Sequence, residues 1–351
     1  MKFLSLAERA YVYNHLNRVR HITLDPNGPG AVRIHLVPCR KPDRTTPFVA
    51  ILNGQDILPL QISWAILLAS LMDALQPFAG KEISPADWDT VQAQAVAAAR
   101  KIYRRTPSVQ IESDLQVLLD CLLAIAQGKT PPVSVQPMRL GDYAARMAAP
   151  HRMDLMISAM TKDGAWHCNQ KCLHCYAACQ PLAEVPELDT DQWLAVIEKC
   201  RNAGIPQLTF TGGEPTLRSD LVKLVQAAQW FVTRLNTTEL TEALRPAMAF
   251  AAEHGLEINF TSPGWLSEDT LTALGFTQIP SCGACLSNMA IAPDGTVLPC
   301  QSWLSGQGLG NILHEPWQRI WDSASCRTVR EESARMKRQC QLGDTPLQEG
   351  C

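Results

Sequence analysis

Four cysteines fall within twelve residues of the stretch "WHCNQKCLHCYAACQ": Cys168, Cys172, Cys175 and Cys179. The first three are spaced Cys-x3-Cys-x2-Cys, gaps that let a short loop turn three sulfurs toward one centre. An iron–sulfur cube ordinarily takes four thiolates. Three leave one iron open to a substrate, the distinction that separates catalytic from structural metal sites. Cys172-x2-Cys175 alone would equally suit zinc. Cys179 reads as a bystander, and His167 and Tyr176 as packing and backbone contributors.

Downstream lies "LTFTGGEPTL". Gly212 and Gly213 let a backbone approach a ligand closely, and Glu214 can accept charge-assisted hydrogen bonds from an ammonium group. A second cysteine group follows: Cys282-x2-Cys285, then nine residues, Gly295, four residues and Cys300. Pro293-Asp294-Gly295 reads as the turn of a hairpin that folds Cys300 back toward Cys282 and Cys285. Cys340 and Cys351 come last, and Cys326 fits no spacing. Four thiolates in closed order here suit either an iron–sulfur cluster or Zn²⁺.

The first two motifs resemble those of the radical S-adenosylmethionine (SAM) enzymes. "CNQKCLHCY" has the form Cys-x3-Cys-x-aromatic-Cys, with His174 at the aromatic position, and Gly-Gly-Glu-Pro stands at the end of the next strand. The resemblance implies that Cys168, Cys172 and Cys175 hold a [4Fe-4S] cluster whose open iron is chelated by the amino and carboxylate groups of S-adenosylmethionine. It also implies that Gly212, Gly213 and Glu214 hold the amino end of that cofactor, with a backbone contact from His174 to adenine. One electron, from a donor such as flavodoxin or ferredoxin, would then cleave the sulfonium C–S bond and release a 5′-deoxyadenosyl radical.

The C-terminal pattern resembles the start of the SPASM extension, an auxiliary-cluster domain of radical enzymes that modify peptides and proteins. The run of cysteines in the middle of a full SPASM domain is incomplete here, with Gly343 where its second cysteine would stand. The resemblance thus implies one auxiliary [4Fe-4S] cluster on Cys282, Cys285, Cys300 and Cys351, with Cys340 as the competing fourth ligand.

These motifs need elements to position them. The chain has 351 residues, 46% hydrophobic and 19% charged, with a formal charge of -3 and thirteen cysteines. That length can bury more than one core, and that charge excludes the basic surface nucleic acid would need. The apolar run "WAILLASLMDAL" is too short to span a bilayer. Glu8 and Arg9 stand where a secretory signal would be apolar. A cytoplasmic address is therefore expected, where thiols stay reduced and ligate metals.

Residues 1–148 read as an α+β domain. "AVRIHLV" alternates Val32, Ile34 and Leu36 on one face, and "FVAILNGQDILPL" reads as a hairpin turning at Asn53-Gly54. Helices follow at "SWAILLASLMDAL", after Ser84-Pro85, and over "ESDLQVLLDCLLAIAQG"; Cys39, Cys121 and Cys200 read as small core residues. This winged-helix-like hairpin with helices resembles the precursor-recognition domain of ribosomal peptide maturases, which implies a precursor peptide or protein partner added as a strand beside the "AVRIHLV" and "FVAIL" sheet.

Residues 149–278 alternate strands and helices, the pattern of a parallel sheet. The strands are "MDLMISAM", "PQLTFTG", "FVTRLN" and "LEINFTSPG", with helices from Thr190, Leu217 and Glu239. The radical SAM core is a six-unit partial (β/α) barrel, and here the fourth and fifth units are missing. Residues 279–351 form a small iron–sulfur domain. The expectation as a whole is a radical SAM oxidoreductase that modifies a peptide or protein side chain, or a non-catalytic, metal-stabilised peptide-binding descendant of one.

Overall fold

The computed structural model describes residues 3–24, 32–40, 42–43, 48–53, 56–78, 83–126, 129–133, 143–159, 161–162, 165–169, 175, 181–228, 232–235, 283–304 and 306–335. They belong to two units, Met1–Ala148 and Ala149–Cys351.

The first unit is built on four antiparallel strands in sequence order: β1 (Arg20–Leu24), β2 (Val32–Val37), β3 (Phe48–Leu52) and β4 (Asp56–Leu60). Alternation puts Ile34, Leu36, Phe48, Ala50, Leu58 and Leu60 on one face, packed in a core with the helices. Those helices are α1 (Leu6–His15), α2 (Ile62–Leu75), α3 (Pro85–Ile102) and α4 (Ser108–Ala126). α2 is apolar almost all round because it is buried almost all round. Ser84 and Asp87 close a capping box at the start of α3, with Pro85 in its first turn.

Three features here differ from the sequence reading. Leu52 pairs with Asp56, so the β3–β4 loop is three residues long and begins at Asn53 with φ 49°. The hairpin is as expected, but its turn is not confined to Asn53-Gly54. α1 and β1 carry weak periodicity and were not expected, although Ser5 and Glu8 form a capping box at the start of α1. Finally, β2 and β3 are the central strands, hydrogen-bonded on both sides, so neither offers a free edge for an added strand. The edges are β1 and β4, and β4 carries Pro59.

Among the described residues of the second unit, six strands form a sheet ordered β12-β11-β10-β5-β8-β9. Its parallel centre is β5 (Arg152–Ser158), β8 (Gln207–Gly212) and β9 (Val232–Leu235). A two-stranded ribbon, β6 (Thr161–Lys162) and β7 (Ala165–Trp166), follows β5. Two helices, α5 (Thr190–Ala203) and α6 (Leu221–Ala227), flank β8 in sequence. α5 is bounded by an Asp189 capping box and by Gly204 in the left-handed region, the start and stop its sequence encodes.

The C-terminal segment joins this same sheet. β10 (Asn288–Ile291) lies parallel to β5, and β11 (Thr296–Leu298) and β12 (Gly310–Asn311) continue antiparallel beyond it. Two short helices follow, α7 (Trp317–Trp321) and α8 (Ala324–Arg335). The expected strand "LEINFTSPG", the helix from Glu239 and the stretch judged to lack two units lie outside the described residues.

Candidate active site

The C-terminal ends of β5 and β8 lie side by side, with Ser158 opposite Gly212. Ligands gather at such ends in parallel sheets because the loops leaving them converge there. Gly212 has φ +115°, and a Cβ on it would come 2.2 Å from Ser158 O, so only glycine lets the two strands approach this closely. Gly213 N–H donates to Ser158 O at 2.7 Å.

Cys168, two residues after β7, lies against these ends. Cys168 is 6% exposed and packs with Met156, Ala183, Ala290, Ala292 and Leu298, and Cys175 packs against the same cluster. A Cβ on Gly213 would stand 3.3 Å from Cys168 Cβ, 3.3 Å from Ser158 Oγ and 2.9 Å from Ala159 O. The cysteine loop and the Gly-Gly-Glu-Pro loop are therefore in direct contact, although 45 positions separate Cys168 from Gly213 in the sequence. Cys172 and His174, with Tyr176 and Cys179, lie outside the described residues.

Glu214 is buried, and its Oε1 accepts from Thr216 N–H at 3.1 Å and Thr216 Oγ1 at 2.8 Å. That local cap fixes the carboxylate at the head of the Pro215–Leu217 turn. Its direction is thus set before any ligand arrives.

Three further residues hold the two loops together, and sequence reasoning missed them. Arg218 donates to Ile157 O at 2.9 Å and Leu188 O at 3.2 Å, and grips Asp220 through two bonds of 2.9 and 2.8 Å. Burial acts to raise the Asp220 pKa, but hydrogen bonds from Arg218 and Thr190 outweigh it and hold this carboxyl below its ordinary value. Glu187 accepts Ala159 N–H at 2.7 Å, pairs with Arg218 at 3.4 Å and stands 4.0 Å from His167 Nε2. A signal did exist for another part of the site. Thr209 and Thr211 on β8 alternate with Leu208 and Phe210, and Asp154 and Ser158 on the neighbouring β5 are also buried and polar. In a strand covered on both faces, such alternation marks one face as polar.

In the C-terminal segment, Cys285 N–H donates to Pro299 O at 3.0 Å, which ties Cys285 beside Cys300. Gly295, at φ +86°, turns the β10–β11 hairpin, and Asn311 Nδ2 locks it by donating to Asp294 O at 2.9 Å. Cys282, Cys340 and Cys351 lie outside the described residues. Cys326, unassigned by spacing, is buried, and its thiol meets that of Cys285. Among the described residues no group of three or more His, Cys, Asp or Glu side chains forms a ready metal site. None of the helices among them is long and apolar enough to cross a membrane.

Residues 167–275 match the model of the radical SAM superfamily, and residues 282–342 match that of the SPASM iron–sulfur cluster-binding domain. The chain carries a radical SAM domain joined to a SPASM domain. Together they imply a [4Fe-4S] cluster, S-adenosylmethionine and auxiliary iron–sulfur binding.

A curated relative is the Fe-coproporphyrin III synthase of Methanosarcina barkeri, 42% identical over 62 residues. That match spans 18% of this chain and 16% of the relative. Among solved structures, Streptococcus suis SuiB bound to S-adenosylmethionine has a TM-score of 0.45 at 12% identity, covering 85% of this chain and 89% of that one. SuiB bound to the precursor peptide SuiA has a TM-score of 0.42 at 10% identity, with 93% and 90% covered. BtrN, in complex with AdoMet and 2-DOIA, gives 0.40 at 16% identity, with 53% and 87% covered.

The site of this radical SAM chain fits the groups its domains imply. Cys168 and Cys175 pack in one buried apolar group, and the Gly213 backbone lies against Cys168. Ser158 Oγ and Thr209 Oγ1 are buried without hydrogen-bond partners among the described residues, so both retain capacity for a polar partner.

Proposed function

We propose that this chain is a radical SAM enzyme that modifies a side chain of a peptide or protein. The observation that carries the reading is the contact between the Gly213 backbone and Cys168 above the adjacent ends of β5 and β8. In it, Cys168, Cys172 and Cys175 hold the catalytic [4Fe-4S] cluster. Gly212, Gly213, Glu214 and His174 bind the cofactor, which supplies a 5′-deoxyadenosyl radical on one-electron reduction.

The chain's own residues position and exclude. Gly213, with no side chain, leaves room for the amino-acid end of the cofactor beside Cys168. Glu214, held by Thr216, presents a carboxylate to its ammonium group. Arg218, bound to the end of β5 and to Asp220, keeps the two loops in register so that this geometry is formed in advance. The buried apolar packing around Cys168 keeps water from the thiolates.

The peptide class is supported by the first unit, whose antiparallel strands followed by helices resemble a precursor-recognition domain. A precursor would add at the β1 edge through main-chain hydrogen bonds. The second unit is the beginning of a partial (β/α) barrel, and Cys282, Cys285 and Cys300 supply auxiliary ligands. In sequence, Cys351 or Cys340 offers the fourth. A reductant such as flavodoxin or ferredoxin, and a cytoplasmic location, complete the reading.

The test is anaerobic reconstitution with iron and sulfide, reduction, addition of S-adenosylmethionine, and chromatography for 5′-deoxyadenosine, alone and with a precursor peptide. Cleavage coupled to a mass change in the peptide is expected. Peptide binding without cofactor cleavage would favour a non-catalytic binding protein. Conversion of a tetrapyrrole in place of a peptide would move the substrate class toward that of the curated relative.

A further inference from the structure

The buried face of α8 consists of Cys326, Arg330 and Ser333, spaced i, i+4 and i+7. A helix that packs for stability alone would bury aliphatic side chains along this stripe. Here the three positions are a thiol and two polar side chains, and two of them meet the Ala284–Cys285 segment. Ser333 Oγ donates to Ala284 O at 2.7 Å, and the thiols of Cys326 and Cys285 share a hydrogen bond. Cys285 itself is held at φ 53°, a rare conformation for a residue with a Cβ. Its backbone is tied to Pro299, which places Cys300 within electrostatic reach.

Arg330 makes the second, independent point. It is 6% exposed, lies 3.9 Å over the Trp321 ring, and donates through Nη1 to Trp321 O at 3.3 Å and to Cys326 Sγ at 3.4 Å. It is in no ion pair among the described residues. A guanidinium keeps its charge in any protein environment, and a buried charge needs an opposite one. The acceptor at its tip able to become an anion is the Cys326 sulfur.

We propose that Cys326 is the fourth thiolate of the auxiliary iron–sulfur centre, completing the set of Cys282, Cys285 and Cys300, with Arg330 as hydrogen-bond donor to its sulfur. This rests on the reading that the SPASM segment holds such a cluster. It replaces Cys351 and Cys340, which only spacing nominated. Four protein thiolates leave no iron open, so this centre passes electrons or anchors the segment and does not ligate substrate.

The test uses the full chain with Cys168, Cys172 and Cys175 all changed to Ala, so that the first cluster is absent. Reconstituted anaerobically, this parent is expected to hold about four irons and four sulfides. Adding Cys326→Ala should release about one iron in four and produce the EPR signal of an oxidised three-iron cluster. Cys326→Ser, which preserves the side-chain volume, should keep the cluster with a shifted reduction potential. Arg330→Gln should keep the iron and lower the potential, because a donor to the sulfur is lost. Cys340→Ala and Cys351→Ala should match the parent. A Cys326→Ala variant indistinguishable from the parent, or iron loss confined to Cys340→Ala or Cys351→Ala, would overturn the assignment while leaving the auxiliary cluster standing. A parent without iron would overturn that underlying reading itself.

Discussion

Replacing Gly212 by Ala tests whether the approach of β5 and β8 is what builds the site. The added Cβ would sit 2.2 Å from Ser158 O and 3.1 Å from Ser158 N and C, all backbone atoms of the central strand pair. Side-chain rotation cannot relieve such an overlap. Overpacking of this kind costs about 1–3 kcal/mol. The φ of +115° adds about 1–3 kcal/mol for a residue with a Cβ. Loss of glycine's freedom in the unfolded chain offsets about 0.4–1 kcal/mol. The balance is a destabilisation of about 3 kcal/mol, or about 6–12 °C for a unit of this size. Hydrogen exchange read by mass spectrometry on β5 and β8 peptides is the assay, because it reports on this unit alone. Gly213→Ala is the contrast. Its contacts are a backbone oxygen at 2.9 Å and two side-chain atoms at 3.3 Å. Exchange should rise less there than in Gly212→Ala, because the backbone overlap is shallower, while affinity for S-adenosylmethionine falls. Equal exchange in Gly212→Ala and the unaltered chain would refute the argument that the two strands need glycine at that position.

Cys168→Ala should abolish 5′-deoxyadenosine formation and remove the iron bound by the first loop; product retained at the original rate would count against the catalytic assignment. Arg218→Ala strands the partly buried carboxylates of Asp220 and Glu187, and should cost about 3–5 kcal/mol in urea unfolding. Arg218→Lys should recover only part of this because it cannot bind Asp220 through two donors, and a loss under about 1 kcal/mol would contradict the bracing role. His151 is buried, and desolvation lowers its pKa from 6.5 to about 4. The unfolded chain therefore takes up this proton first. The contribution of His151 is complete above about pH 6.5 and is lost as the pH falls toward 4, up to about 3 kcal/mol. In His151→Gln, the loss of stability between those pH values should shrink by that order, and an unchanged acid profile would show that the imidazole is not the group responsible.

Much of the outline was readable along the chain because it rests on local rules. The Asp189 and Ser84 caps, Gly204 after α5, and Gly295 in its hairpin are decided by neighbours within a few residues. The strands "MDLMISAM" and "PQLTFTG" stand out as apolar runs, and spacing nominated Cys168 and Cys175, which pack in one apolar group. α1 and β1 escaped notice because one is weakly amphipathic and the other is an edge strand mixing charged and apolar residues.

What the sequence by itself determined was chemistry: which thiols, glycines and carboxylate could serve, and at the ends of which strands. Only the tertiary structure decided how they are held. Arg218 reaches Ile157 O across 61 positions, Glu187 reaches Ala159 across 28, and Ser333 reaches Ala284 across 49. The parallel pairing of β10 with β5 makes the SPASM segment part of the core sheet. Such contacts leave no periodicity or spacing in the chain, because they depend on where separate elements come to rest against one another and not on what lies a few residues away.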